Sequence, residues 1–265
     1  MSASPRFVST LKESKVVIIG GTSGIGLAVA SGVIEEGGSV IVASSSAAKV
    51  NHAVVELSDP AKQYNADPTR VRGISLELGG PETEARVTAF FEQVGAFDHL
   101  IITAGRVPRR TLTGDQTWDT LNALMTERLT CAFLTVKVAA YGKYLKEGGS
   151  VTLTTGSLYR YPMPGASLGV AVTGAIVSLV RGLALDLSGR SIRVNAVSPG
   201  PLRTSLFEAL PKEFQELMTA RLLTGRPGEV DHVVQTYLSL LKSPSVTGET
   251  LNDDSGGYSV KQPAF

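Results

Sequence analysis

Cysteine is nearly absent. Cys131 is the only one, so the chain can close no internal disulfide and build no cysteine-based metal cluster. It sits in an apolar helical run, residues 129–138, and reads as a small core residue in a protein of a reducing compartment. Histidine is scarce too: His52, His99 and His232 are far apart and lack the cysteine or carboxylate spacing of a metal site. Neither sign of charge is in excess, since 25 Lys and Arg against 24 Asp and Glu leave a net charge of +1. The basic residues are scattered, and a nucleic-acid or anionic-membrane partner calls for a basic patch, so neither partner is expected. The sequence also lacks an N-terminal signal pattern and an uninterrupted apolar run of membrane-spanning length, and its Gly-x-Ser-x-Gly string, Gly165-Ala166-Ser167-Leu168-Gly169, does not follow directly on a strand as a nucleophile elbow must. These absences lead to the expectation of a cytoplasmic protein that is neither a membrane protein nor a serine hydrolase.

What is present is a foldable α/β alternation. The 265 residues are 43% hydrophobic and hold 28 glycines, which excludes disorder and suits a compact body with tight turns. Residues 15–20, 39–43, 71–76, 99–103, 150–154, 192–196 and 250–252 read as strands. Runs such as Val16-Val17-Ile18-Ile19 and Leu100-Ile101-Ile102 are apolar throughout, as strands buried on both faces of a parallel sheet must be. Residues 25–36, 81–94, 118–145, 167–187 and 229–241 read as helices, and Trp118 is expected to pack against its own helix. Strand–helix alternation with short connections predicts a doubly wound parallel sheet with right-handed crossovers. No linker or repeat divides the chain, so residues 1–265 are read as one domain. Segments 44–69 and 204–226 look less regular.

The first strand runs straight into Gly20-Gly21-Thr22-Ser23-Gly24-Ile25-Gly26, which opens the first helix. In that context Gly20 permits the sharp turn, Gly24 lets backbone N–H groups approach a pyrophosphate, and Gly26 lets the helix pack close to the sheet. The helix N-terminus then favours phosphate charge. After the second strand the chain reads Ala43-Ser44-Ser45-Ser46-Ala47-Ala48-Lys49. A site for NAD usually carries a carboxylate there for the ribose hydroxyls; three hydroxyls followed by a lysine accept a 2′-phosphate instead and favour NADP(H). The alternative is a solvated turn whose serines cap the next helix.

Further along come Glu77-Leu78, Thr103-Ala104-Gly105, and Arg193-Val194-Asn195-Ala196-Val197-Ser198-Pro199-Gly200-Pro201-Leu202-Arg203-Thr204. Gly225-Arg226-Pro227-Gly228, Thr247-Gly248 and Asp254-Ser255-Gly256-Gly257 follow. With the Gly-x-x-x-Gly-x-Gly loop, this series resembles the short-chain dehydrogenase/reductase family over about residues 14–257. The resemblance implies a single-domain, Rossmann-type doubly wound sheet with a substrate lobe near 204–226. It also implies a dinucleotide held by Gly20, Thr22, Ser23, Gly24, Ile25, Gly26, Ser44, Ser45 and Ser46. Glu77 and Leu78 would flank the adenine, Ala104 and Gly105 would follow the fourth strand, and Pro199, Gly200, Leu202 and Thr204 would hold the nicotinamide and pyrophosphate.

The family works with Asn, Ser, Tyr and Lys. Here Arg128-Leu129-Thr130-Cys131-Ala132-Phe133 places Arg128 in the Asn slot, and Leu153-Thr154-Thr155-Gly156-Ser157 places Thr155 in the Ser slot. Counting back from Leu183-Ala184-Leu185-Asp186-Leu187 puts Gly169 at the Tyr position and Thr173 at the Lys position. Neither donates a proton near neutral pH. This set resembles an atypical subgroup that includes fungal reductase/Diels–Alderases of the malbrancheamide and paraherquamide type. The stretch Tyr161-Pro162-Met163-Pro164-Gly165-Ala166 carries neither the acid nor the Trp of those enzymes, so the resemblance reaches the subgroup and not its substrate.

The resulting expectation is an NADP-dependent oxidoreductase acting on a small iminium or similarly activated metabolite. Arg128 would orient an anionic group or stabilise an enolate, and Thr155, Ser157, Tyr159 or Tyr161 would supply a substitute hydroxyl. A structural salt bridge at Arg128 and loop packing at the others are the plain alternatives. An NADP-bound cyclase or isomerase, or a silent NADP-binding protein, are the alternative functions. The apolar, glycine-bearing stretch 167–187 suggests a homodimer or homotetramer.

Overall fold

The computed structural model describes residues 11–105 and 117–257. Their apolar runs form seven strands: β1 (Lys15–Ile19), β2 (Ser39–Ser44), β3 (Val71–Ser75), β4 (Phe97–Ile102), β5 (Leu145–Thr154), β6 (Arg193–Pro199) and β7 (Thr250–Asp253). They lie in one sheet in the order β3-β2-β1-β4-β5-β6-β7, each neighbouring pair parallel. The helices are α1 (Gly24–Glu35), α2 (Ala47–Ser58), α3 (Thr83–Val94), α4 (Trp118–Met125), α5 (Cys131–Tyr141), α6 (Ser167–Asp186), α7 (Ser205–Glu208), α8 (Lys212–Thr219) and α9 (Val230–Lys242).

Alternate residues of each strand feed opposite layers. Val16 and Ile18 meet Val33, Ile34, Leu57, Val234 and Tyr237 from α1, α2 and α9. Val17 and Ile19 meet Phe91, Val136, Ala139, Ile176 and Val180 from α3, α5 and α6. Each large side chain so buried contributes about 1.5–3 kcal/mol. Strand order reverses between β1 and β4, which opens a crevice at their carboxyl ends, where a doubly wound sheet binds ligands. This is the expected Rossmann-type fold.

Several sequence expectations are corrected. The helix expected over 118–145 ends at Tyr141 and is interrupted within: α4 passes through a π-helical turn, Thr126–Thr130, into α5, and the chain leaves α5 through Gly142 and Lys143, whose φ is +60°. Leu145 therefore opens β5, paired with Phe97 at the start of β4. The segment 44–69 contains α2, whose buried Val50, Ala53 and Leu57 form a narrow stripe. Trp118 opens α4 and is 80% exposed, so it does not pack as expected. Finally, α6 has 20 residues with a mean hydropathy of 1.9, long and apolar enough by length and composition to cross a membrane, although no such stretch was expected. It lies against the sheet with Val172, Ile176 and Val180 buried.

Candidate active site

Two glycines hold the first turn of the crevice close to β4. A Cβ on Gly20, where φ is +91°, would stand 2.5 Å from Thr103 Oγ1 and 2.6 Å from the Ala104 nitrogen. One on Gly26 would stand 2.3 Å from the Gly20 carbonyl oxygen. Gly24 is the opposite case: its φ is +51° and nothing lies within 4 Å of its Cβ position. That open space sits at the start of α1, where Ser23 is the N-cap residue but makes no side-chain cap, and the first turn carries no acidic residue. Thr22 is buried beside them and Ile25 packs against the core. A helix start with uncapped N–H groups, no carboxylate and a glycine clearing in front suits a pyrophosphate. The residues fit a dinucleotide.

The turn after β4 is tied to this loop. The Thr103 and Ala104 amides donate to the Ile19 carbonyl at 2.9 and 3.2 Å. The Thr103 hydroxyl donates to the Gly20 carbonyl at 3.1 Å. Thr103 is not among the expected site residues, yet its hydroxyl joins the carboxyl ends of β1 and β4. At the end of β2, the Ser44 hydroxyl donates to the Ser46 carbonyl at 3.4 Å, and Ser46 Oγ accepts from the Lys49 amide as the cap of α2. Capping, the plainer reading, therefore holds for Ser46, while Ser45 and the Lys49 side chain are exposed. Glu77 is exposed beside Arg86 at 3.9 Å, and Leu78 packs on the core.

Beyond β6, the Gly200 amide donates to the Asp253 carbonyl at 2.9 Å, and a Cβ on Gly200 would strike the Asp254 Cα at 2.6 Å. Pro199 pairs with Asp253, and Leu202 bridges to Gly228. Thr204 Oγ1 accepts from the Phe207 amide at 3.2 Å and so starts α7.

Arg128 projects from the π turn into the protein and is 7% exposed. Its Nη1 donates to the Gly105 carbonyl at 2.9 Å and the Ala104 carbonyl at 3.4 Å, while its Nε is buried with no partner among the described residues. Burial pushes the guanidinium pKa below its ordinary value. No ion pair at Arg128 is found among the described residues. Past β5, the buried Thr155 donates its hydroxyl to the Thr173 carbonyl at 2.8 Å, and Thr173 donates its own to the Gly169 carbonyl at 2.7 Å. Ser157 begins a 3₁₀ turn, Ser157–Tyr159. Tyr159 donates to Asn252 Oδ1 at 3.0 Å. The Tyr161 ring lies 3.6 Å from the Cβ position of Gly257. Both aromatic side chains thus reach towards β7 and the segment after it.

Residues 20–259 match the family described as Enoyl-(Acyl carrier protein) reductase. The short-chain dehydrogenase/reductase fsr5 of Gibberella fujikuroi is 31% identical over 97% of this chain and 98% of its own length. The short-chain dehydrogenase/reductase malC of Malbranchea aurantiaca is 30% identical over 97% and 98%. The solved structure of the MalC reductase/Diels–Alderase superposes with a TM-score of 0.84 at 30% identity, covering 94% of this chain and 98% of that one.

The chain belongs to the short-chain dehydrogenase/reductase family. It is an oxidoreductase of that type, similar to fungal reductase/Diels–Alderases, and members of the family use nicotinamide cofactors. Within the short-chain dehydrogenase/reductase frame, the first two turns of α6 hold Gly169 and Thr173, both buried. The Asp254 carboxylate, also buried, accepts from the Gly256 amide at 3.1 Å. The only trace of its packing in the sequence is Gly200, the one residue type that clears its Cα.

Proposed function

We propose that this protein is an NADPH-dependent reductase that delivers hydride to a small cationic or activated acceptor, such as an iminium or an electron-poor alkene, without a protein acid. The observation that carries this reading is the inward turn of two hydroxyls: Thr155 donates to the Thr173 carbonyl and Thr173 to the Gly169 carbonyl. Tyr159, the nearest phenol on the loop after β5, donates to Asn252. Of the four hydroxyls that could stand in for the acid, Thr155 and Tyr159 thus have their protons held by the protein. Reduction of a ketone builds a strongly basic alkoxide that must be protonated as it forms, whereas hydride addition to an iminium cancels a charge and calls for no acid, and addition to an electron-poor alkene leaves a weakly basic enolate that takes its proton from water.

A bound nicotinamide supplies the hydride. This chain's residues would hold and orient it, Gly20, Gly24 and Gly26 at the pyrophosphate, with Ala104, Gly105, Pro199, Gly200, Leu202 and Thr204 completing the site. Ser44, Ser45 and Lys49, with no carboxylate at the end of β2, support NADP(H) over NAD(H). The lobe 204–226 would cover the substrate; it bears a cleft of about 540 Å³ where Phe207, Ala220 and Pro227 stand among Arg203, Glu208, Gln215 and Glu216, a wall that suits a substrate with both apolar and polar parts. Exposed Phe133, Tyr141 and Leu185 on α5 and α6 support self-association.

The test is NADPH oxidation against a panel of iminium ions, enones and plain ketones. The expected result is turnover of the first two classes, with one NADPH consumed per two-electron reduction. Comparable turnover of plain ketones would overturn the reading. A second reading, a cyclase in which the cofactor is structural, is favoured by the name of the Malbranchea relative, which pairs a reductase with a Diels–Alderase. It predicts product without NADPH consumption, and a silent binder predicts neither.

A further inference from the structure

An arginine in mid-helix ordinarily lies along the surface with its charge in water. Arg128 is turned inward because the π turn, Thr126–Thr130, adds a residue to the helix and shifts which positions face the sheet. Its stem then runs across Gly105. A Cβ on residue 105 would stand 2.4 Å from Arg128 Cδ and 3.1 Å from Nη1, and Gly105 has a φ of +114°. The Arg128 side chain thus occupies the space that a side chain at residue 105 would need, at a backbone angle that favours glycine. From that seat Nη1 reaches the carbonyl oxygens of two successive residues, Ala104 and Gly105.

The same two residues form the turn that the Ala104 amide and Thr103 hydroxyl fasten to the glycine loop from the other side. The turn is held on both flanks, by β1 and by Arg128, at the point where strand order reverses.

We infer that Arg128 is a positioning residue for the nicotinamide cofactor: it fixes the Ala104–Gly105 turn in the shape the cofactor rests on, rather than gripping a substrate anion. This rests on the reading that the chain binds such a cofactor. A guanidinium whose Nη1 is turned to main-chain carbonyls has that donor taken, and its charge, with no carboxylate paired to it among the described residues, adds an attractive field for a polyanionic dinucleotide.

The experiment titrates NADPH, followed by its own fluorescence, into the wild type and into Arg128→Lys, Arg128→Met and Arg128→Ala, with the melting temperature of each recorded. Arg128→Met keeps the stem over Gly105 and loses the donors, and it is expected to raise the NADPH Kd about tenfold or more, the scale of a lost charge-assisted hydrogen bond. Arg128→Lys, which spans one carbonyl rather than two, should fall between. Adding ethylguanidinium to Arg128→Ala should restore a large part of the lost affinity, which general loosening of the fold would not allow. An Arg128→Met or Arg128→Lys Kd within twofold of wild type, with any loss confined to substrate KM, overturns the inference and returns Arg128 to the substrate. Should Arg128→Met fail to fold, Arg128→Lys carries the same decision. A wild type that binds neither NADPH nor NADH defeats the cofactor reading itself, and this inference with it.

Discussion

Thr155 donates its hydroxyl proton to the main-chain carbonyl of Thr173 across 2.8 Å, joining the end of β5 to the second turn of α6. A hydroxyl so oriented still offers lone pairs to the crevice, but its proton is taken. Thr173 repeats the arrangement one turn back, onto the Gly169 carbonyl, with a longer contact of 3.1 Å to that of Val170. Neither residue ionises, so the protein's chemistry should carry no signature of a titrating acid at these positions. With an iminium or enone substrate, kcat is expected to vary less than about threefold over roughly pH 6–9, where a Tyr–Lys pair would impose a marked limb. Thr155→Val should lose less than about tenfold in kcat and about 1 kcal/mol in stability, the net worth of one buried hydrogen bond. A hundredfold loss in Thr155→Val, with Kd for NADPH unchanged, would make Thr155 a proton donor after all.

The two kinds of glycine in the first turn make opposite predictions. At Gly20 a Cβ meets Thr103 and the Ala104 backbone within 2.6 Å, and backbone cannot swing aside. Gly20→Ala should therefore cost several kcal/mol and lower the melting temperature sharply, on the order of 3 kcal/mol from overpacking and positive φ together. At Gly24 a Cβ meets nothing within 4 Å. Gly24→Ala should cost about 1–2 kcal/mol for its left-handed backbone, while placing a methyl group in the clearing proposed for phosphate. NADPH affinity falling at least tenfold with a melting temperature lowered by only a few degrees is the expected pair of results. Equal affinity in Gly24→Ala would move the pyrophosphate elsewhere.

The fold was legible because its signals are local. Val16-Val17-Ile18-Ile19 and Leu100-Ile101-Ile102 are apolar at every position, which only doubly covered strands require, and the glycine loop follows one of them. What escaped was small in sequence and large in space. The π turn at 126–130 is one extra residue inside an apolar helical run, and it decides that Arg128 faces inward. Lys143 at positive φ ends α5 without any of the usual breakers beyond Gly142. In α2 three apolar positions, Val50, Ala53 and Leu57, suffice because the helix touches the sheet along a narrow line. At the site, the close backbone approaches at Gly20 and Gly26 could be read because glycine spacing reports them. The partners of Arg128, Thr155 and Tyr159 could not, since each lies 18 to 93 residues away along the chain.

Arg193 is a buried cation with a purely structural task. Its Nη1 and Nη2 donate to the Leu240 and Leu241 carbonyls at 2.7 and 3.0 Å, with a longer contact to Val246 at 3.4 Å. These are carbonyls at the end of α9, which lack partners within the helix. Burial pushes the Arg193 pKa down from its ordinary value, and the helix carbonyls offset the desolvation. Arg193→Met keeps the stem and orphans the carbonyls. Urea unfolding should show a loss of about 2–4 kcal/mol with little change in the m-value. A loss below about 0.5 kcal/mol would mean that water replaces the guanidinium at no cost.

His99 gives the fold an acid limit that one substitution should remove. It lies in the central strand β4, with Nδ1 2.8 Å from Ser150 Oγ, and burial holds its pKa down to about 4 from an ordinary 6.5. The neighbouring Asp98 pulls the other way, and Arg193 and Lys146 add to the depression. In the native state the ring stays neutral, whereas in the unfolded chain it takes a proton as pH drops below 6.5. Stability from this residue is therefore complete above pH 6.5, falls as the pH is lowered towards 4, and changes no further below that. A depression of this size corresponds to about 3 kcal/mol at most. His99→Gln keeps a polar contact to Ser150 and cannot titrate. Chemical denaturation at a series of pH values should show the wild type losing stability more steeply than His99→Gln between pH 6.5 and 4, with the difference level on either side. Parallel curves for the two proteins would show that the ring is solvated in the native state and that its burial does not set the acid limit.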